Sequence, residues 1–150
     1  MLASLKQFFS NSKSEQTSIS EEHALKLAAA TLMFEVSRSD GEIAADELKV
    51  MGQVLKRDFE LSDEEVEELT SDAKQASEDA ISLQGFTRQI CDRWGNQERR
   101  SLVEACWMIA LVDSNLDAHE RHTVRKIAGL LYLTDHEIIV AKEAAAKRLK

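Results

Sequence analysis

The chain has 150 residues, five glycines and no proline, which suits one helix-rich domain with a single hydrophobic core. Its formal net charge of −8 at pH 7 argues against nucleic-acid binding, because the neutralisation of phosphates requires a basic face. No apolar run reaches the ~18 residues that a membrane span needs, and the first residues lack the pattern of a signal peptide, so we expect a cytoplasmic protein.

Residues 1–19 are predicted to form a short N-terminal segment and a Ser-rich linker. Residues 2–9 are amphipathic, and they either dock on the domain or fray, or alternatively make weak peripheral contact with a membrane surface or a partner. From residue 20 onward, apolar residues recur at steps of three and four, as on one face of a helix, and no window alternates as a strand does. We predict an all-α domain over residues 20–150, with helices at 21–38, 45–57, 63–77, 83–94, 97–112, 118–131 and 135–148.

The chain contains an internal repeat. The stretch SDGEIAADE at residues 39–47 has a near-copy, VDSNLDAHE, at residues 112–120. Further on, ELSDEEV at residues 60–66 matches YLTDHEI at residues 132–138, and each copy holds a capping box that starts a helix. Each unit is therefore helix, acidic loop, helix and capped helix. The repeat predicts about seven helices packed with a pseudo-two-fold symmetry.

The segments ALKLAAATLMFEVSRSDGEIAADE, FTRQICDRW and LVEACWMIALVDSNLDAHERHTVRKIAGLLYLTD resemble the TerB family, and most closely its stand-alone bacterial branch. The resemblance covers nearly the whole chain. It implies an all-helical fold with internal two-fold symmetry, an association with tellurite resistance and stress response, and a link to metal-ion binding. Two positions depart from the family pattern: Asp113-Ser114 replaces Asp-Gly in the second loop, and Ala44 stands where the first loop usually has a cap.

Helix initiation is one interpretation of the acidic loops. Gly41 can end the preceding helix in a left-handed conformation. Glu47 would be the third residue of the next helix and would reach back to the free N–H of the cap. In the second loop, Asp117 would be the cap and Glu120 its capping-box partner. Capping alone can therefore account for Glu47, Asp117 and Glu120.

Capping does not account for Asp40 or Asp113, which lie seven residues before the two glutamates. Hard cations bind about six to eight oxygen ligands, carboxylates included. If the two loops come together, their carboxylates form such a set, and calcium or magnesium is favoured over zinc because the donors are oxygens. The predicted metal ligands are Asp40, Glu42, Glu47, Asp113, Asp117 and Glu120.

No enzyme signature is visible in the chain. There is no nucleophile elbow, phosphate-binding loop or dinucleotide fingerprint, and the histidines of HERH at residues 119–122 are three apart rather than the four of a zincin. Cys91 and Cys106 are expected to be reduced thiols. We predict a non-enzymatic interaction or adaptor module that binds a protein partner through the acidic surface of the two loops. The sequence identifies no cofactor with certainty. The alternative is a sensor that binds calcium or magnesium through the same loops.

Overall fold

The computed structural model of the protein describes residues 18–38, 45–78, 83–112 and 118–149. Within these ranges the chain is helical apart from short turns, and no residue lies in a strand, so the all-α prediction is confirmed. The first helix begins three residues earlier than predicted, and the N-terminal segment at residues 2–9 lies outside the described residues. The helices are α1 (Ser18–Arg38), α2 (Ala45–Asp58), α3 (Asp63–Glu78), α4 (Leu83–Arg93), α5 (Asn96–Leu111), α6 (Ala118–Leu130) and α7 (Asp135–Arg148).

Two central helices, α1 and α5, carry much of the core. Every side chain between residues 24 and 37 of α1, and between residues 102 and 110 of α5, is buried or half-buried. A helix that is apolar on all sides must be surrounded by protein, and the two helices pack against each other as well as against their neighbours. Phe34 and Trp107, which are 73 residues apart, are the largest fully buried side chains of α1 and α5.

The packing of the helices repeats with a pseudo-two-fold relation. One unit comprises α1, α2 and α3, and the other comprises α5, α6 and α7. Each central helix packs against both other helices of its own unit and also against the middle helix of the other unit, so that α1 contacts α6 and α5 contacts α2. Helix α4 lies between the units in sequence, has no counterpart among the described helices, and packs against α1 and α6. The sequence repeat is therefore a repeat of structure.

The turn after the second helix of each unit follows the repeat residue by residue. Glu60 and Tyr132, 72 residues apart, both adopt a left-handed conformation, with φ of 55° and 62°. The N–H of the next residue then donates to the carbonyl oxygen five residues earlier, at 3.2 Å after Glu60 and 3.1 Å after Tyr132. This bond is the signature of a Schellman cap, which usually has glycine at the left-handed position. Both units have a residue other than glycine at this left-handed position, which supports their common construction.

Both predicted capping boxes are present. The Ser62 backbone N–H donates to Glu65 Oε1 at 3.0 Å, and the Glu65 N–H donates to the Ser62 hydroxyl at 3.2 Å. Thr134 and Glu137 make the equivalent bonds at 2.9 Å and 3.1 Å. These bonds satisfy N–H groups that the first turn of a helix leaves unpaired. They define the starts of α3 and α7.

Contacts at the helix ends give the direction of the central helices. Phe59, directly after α2, and Trp94, shortly before α5, pack in a T-shaped arrangement with ring centroids 6.0 Å apart. The same end of α2 shares a cleft with Lys26 in the first half of α1. The first halves of α1 and α5 therefore lie at one end of the bundle. Their last residues, Arg38 and Leu111, lie at the opposite end. We refer to it as the loop end because both acidic loops follow these residues in the sequence.

Both cysteines are free thiols, as predicted. Cys106 is fully buried in α5, and burial raises the pKa of its thiol to about 12. Cys91 is half-buried, and desolvation also raises the pKa of its thiol. Because the thiolate is the reactive form, neither side chain is poised for nucleophilic chemistry near neutral pH.

Over the part of the chain that the structure describes, every helix is too short or too polar to cross a lipid bilayer.

Candidate functional site

The structure places two of the six predicted metal ligands, Glu47 and Glu120. They stand at the third position of α2 and of α6, where each helix follows an acidic loop. Both side chains are almost completely buried, with 2% and 1% of their surface exposed. The other four predicted ligands lie outside the described residues: Asp40, Glu42, Asp113 and Asp117.

Glu47 is bound to the end of the preceding helix. Its Oε1 accepts a hydrogen bond from the Ser37 hydroxyl at 2.8 Å, and Ser37 is itself completely buried. The bond therefore joins the last turn of α1 to the first turn of α2 inside the protein. The N-terminus of α2 also carries a partial positive charge, which stabilises a carboxylate there. The predicted bond from Glu47 to the cap at Ala44 involves a residue outside the described ranges.

Glu120 occupies the equivalent place in the second unit, 73 residues after Glu47. Its burial is the same, but its surroundings differ. The counterpart of Ser37 at the same offset is Ala110, which has no hydroxyl to donate. The second unit therefore has no donor equivalent to the Ser37 hydroxyl at this position. The two units share a buried glutamate without sharing the way in which it is bound.

Glutamate stands at the third helical position in five of the seven described helices, which allows a direct comparison. Glu65, Glu98 and Glu137 lie at or near the surface and accept the backbone N–H three residues earlier, at 3.0, 3.1 and 2.9 Å. These backbone hydrogen bonds lower the pKa of the Glu65 and Glu137 carboxyls. In this protein, the three glutamates that make this capping bond therefore lie at or near the surface. The burial of Glu47 and Glu120 is a feature that capping does not require.

A complete cation site is not formed by the described residues alone. Within residues 18–38, 45–78, 83–112 and 118–149, no three His, Cys, Asp or Glu side chains are grouped so that they could bind a metal ion together. Glu47 and Glu120 can supply only part of the six to eight oxygens that calcium takes. Such a site would need further oxygens, which the sequence offers in the acidic residues between 39 and 44 and between 113 and 117. The chemistry of the donors, all carboxylates, suits calcium or magnesium.

A second acidic surface runs along α3. Glu64, Glu67 and Glu68 are exposed there, beside Ser71 and Asp72, and together they border a shallow depression. Asp72 is largely buried, and desolvation raises the pKa of its carboxyl. The exposed members behave as the solvated face of an amphipathic helix. This surface provides acidic residues that are not part of the two loops and can serve as controls.

The helical repeat and the position of the two loops can be compared with known families. The sequence model of the family described as "Tellurite resistance protein TerB" matches residues 26–143, which is most of the chain. The chain belongs to the TerB family. The match covers most of both units and includes both acidic loops, and the resemblance seen in the three sequence segments is confirmed. No curated protein and no solved structure matches the chain.

Proposed function

We propose that this TerB domain is a non-enzymatic interaction module that binds a protein partner through an acidic surface at the loop end. It would act in the cytoplasm, in tellurite resistance or a related stress response. The observation that carries the proposal is the burial of Glu47 and Glu120 at equivalent places. The bond from Ser37 to Glu47 ties the start of α2 to the end of α1, and Glu120 is buried at the equivalent place in α6. Asp40 and Asp113, which no cap requires, are the residues that we propose face the partner.

The charge of the chain indicates the kind of partner. With a formal net charge of −8, the domain attracts basic surfaces and repels nucleic acids and other polyanions. Complementary charge accelerates association and sets its salt dependence more than it sets affinity. We therefore propose a protein partner with a basic contact surface, whose binding weakens as the salt concentration rises.

A pull-down with a loop variant tests this proposal. The double variant Asp40→Ala/Asp113→Ala removes two carboxylates from the loops and should lose the proteins that the unchanged domain captures. Glu67→Gln/Glu68→Gln is the matched control, because it removes two charges from exposed positions on α3. Captured proteins are identified by mass spectrometry and then titrated in purified form. If the loop variant and the control bind them equally well, the loops are not the interface.

A second candidate function, the binding of calcium or magnesium, is supported by the same two buried glutamates. Several carboxylates held close together repel one another, and a bound cation removes that repulsion. Oxygen donors from two loops and two helix starts would together approach the coordination number that calcium takes. The ligands in this proposal are Asp40, Glu42, Glu47, Asp113, Asp117 and Glu120.

Thermal denaturation with a chelator, calcium, magnesium or zinc tests the second candidate. A cation that binds only the folded domain stabilises it by roughly 2.7 kcal/mol at about a hundredfold excess over Kd, so Tm should rise with calcium or magnesium. Glu47→Gln and Glu120→Gln should each reduce this rise, whereas Glu65→Gln, at the same helical position in α3, should leave it unchanged. A Tm that no ion shifts at millimolar concentration contradicts cation binding and leaves the partner proposal standing.

A further inference from the structure

A cleft of about 490 Å³ opens at the end of the bundle opposite the loop end. It lies between Lys26 of α1, Asp58 at the end of α2, Leu102 of α5 and Arg148 of α7. Its volume is within the range of about 300–1,000 Å³ that small-ligand sites occupy. Lys26 is twelve residues before Arg38, so the cleft is about 18 Å along α1 from the loop end. It is therefore separate from the surface proposed above.

One wall of the cleft is aromatic. Phe59 and Trp94, both half-buried, meet edge to face with ring centroids 6.0 Å apart, and both line the cleft. The buried side chain of Leu102 extends the apolar surface from α5. Tryptophan offers the best ring face for a cation, at distances up to about 6 Å from the ring centre. The wall is therefore suited to an aliphatic stem that carries a positive charge.

The rim of the cleft has an excess of negative charge. Five carboxylates line it against only two cations, Lys26 and Arg148, so three carboxylates are in excess. In a pocket with apolar walls, such an excess attracts cations more strongly than the same charges would in open water. The five carboxylates are Glu22, Asp58, Glu60, Glu98 and Glu104.

Arg148 shows how the cleft already holds one guanidinium group. Its Nη1 donates to Glu104 Oε2 at 2.7 Å, and its two terminal nitrogens contact the two oxygens of Asp58 at 3.3 Å and 3.2 Å. This arrangement occupies Asp58 and Glu104. Glu60 is exposed and forms no ion pair within the described residues, while Glu98 accepts only a backbone N–H. Glu60 and Glu98 therefore remain open to a second cation.

Among the described residues of the second unit, the position that corresponds to the cleft is filled. Arg99, the counterpart of Lys26 at the offset of 73, donates from Nη1 to the carbonyl oxygen of Leu131 at 2.6 Å and so covers the end of α6. Lys26 instead pairs with Glu22 at 3.4 Å and leaves the end of α2 uncovered. The end of α6 borders a smaller cavity of about 140 Å³. The fold alone therefore does not dictate the cleft.

We propose that the cleft binds a side-chain-sized organic cation, namely a guanidinium or ammonium group on an aliphatic stem. The charged group lies over Trp94 and between the carboxylates of Glu60 and Glu98, and the stem packs along Phe59 and Leu102. The same chemistry is offered by a free amine and by an arginine or lysine side chain of a protein. The cleft recognises the cation in either case, and the source is distinguished by the ligand used in the test.

Nuclear magnetic resonance offers a test with an internal control. The chain has two tryptophans, so it gives two indole N–H resonances. Titration with N-acetyl-arginine amide, agmatine or a short glycine peptide with one central arginine should shift the resonance of Trp94. The resonance of Trp107, which is 1% exposed in the core, should stay in place. N-acetyl-glutamine amide, a neutral analogue of similar length, should shift neither resonance.

Two charge variants locate the binding. Glu60→Asn removes a cleft carboxylate while keeping a residue that tolerates the left-handed conformation, and it should raise Kd about fivefold. Glu67→Gln on α3 removes the same charge away from the cleft and should leave Kd unchanged. If agmatine and the peptide bind with similar Kd, the cation alone is the ligand. If only the peptide binds, the ligand is a side chain of a partner protein.

Any one of three results would overturn the proposal. The first is a Trp94 resonance that does not move with any of the three cations at millimolar concentration, and the second is a neutral analogue that shifts it as much as the cations do. The third is a Glu67→Gln variant that weakens binding as much as Glu60→Asn does. The last result would show attraction by net charge alone. A thermal scan of each variant confirms that it is folded before its Kd is compared.

Discussion

The two units of the domain repeat the same three helices, yet they differ at the positions where a side chain could serve a purpose beyond folding. Both have a left-handed turn, at Glu60 and Tyr132, and both have a capping box and a buried glutamate. By contrast, Ser37 corresponds to Ala110, and Lys26 to Arg99. The shared features hold the helices in place. The differences coincide with the bond to Glu47 and with the open cleft.

The core should reveal whether the two units contribute equally to stability. Phe34→Ala and Trp107→Ala each remove a fully buried aromatic side chain from a central helix, and each should lower the free energy of unfolding by about 3–5 kcal/mol. Urea-induced unfolding followed by circular dichroism measures the change. Leu48→Ala, at a position that is 39% exposed, should have a much smaller effect. A large difference between the two aromatic variants would mean that one unit dominates the core.

The bond between Ser37 and Glu47 is the clearest difference between the two units. Ser37→Ala removes the only hydroxyl donor described for the buried Glu47 carboxylate and should lower the free energy of unfolding by about 1–3 kcal/mol. Ala110→Ser is the reciprocal variant, because it introduces a hydroxyl at the equivalent position of the second unit. In a double-mutant cycle, Ser37→Ala should cost less when Glu47→Gln is already present. Additive effects in that cycle would show that the 2.8 Å bond contributes nothing specific.

The capping boxes should be equivalent in the two units. Ser62→Ala and Thr134→Ala each remove a cap hydroxyl and should each lower the free energy of unfolding by about 1 kcal/mol. Hydrogen bonds from the backbone N–H of Ser62 and of Thr134 lower the folded-state pKa of Glu65 and of Glu137 from the ordinary value of 4.5. Their stabilising contribution is therefore complete above pH 4.5 and declines as the pH falls through the lower folded value.

A Tm series from pH 7 to pH 3 checks this pH dependence. The unchanged domain should lose stability below about pH 4.5 more steeply than the double variant Ser62→Ala/Thr134→Ala, since the variant lacks half of each box. Parallel curves for the two proteins would mean that other carboxylates govern the acid sensitivity.

The helices and the repeat could be predicted from sequence because their signals are local. Apolar spacing and the capping residues Ser62 and Thr134 act within one or two turns. The left-handed turns at Glu60 and Tyr132 were not predicted, since glycine is the usual signal for such a turn.

The bond from Ser37 to Glu47 was also missed. Ser37 is a small polar residue in an otherwise apolar stripe of α1, which hints at a buried partner. Its partner, however, lies ten residues further on, across a loop, and only packing brings the two together. The cleft could not be predicted from the sequence for the same reason, because it combines side chains from four helices.

The exchange of neighbours between the units, with α1 packed on α6 and α5 packed on α2, has a consequence for how the domain holds together. A unit expressed alone would leave one side of its central helix bare, and would have to cover it with a second copy of itself. In this respect the domain is a dimer whose two subunits are joined in one chain. Chains split before α4 should regain the fold only when both pieces are mixed, and the intact domain should unfold in one cooperative transition.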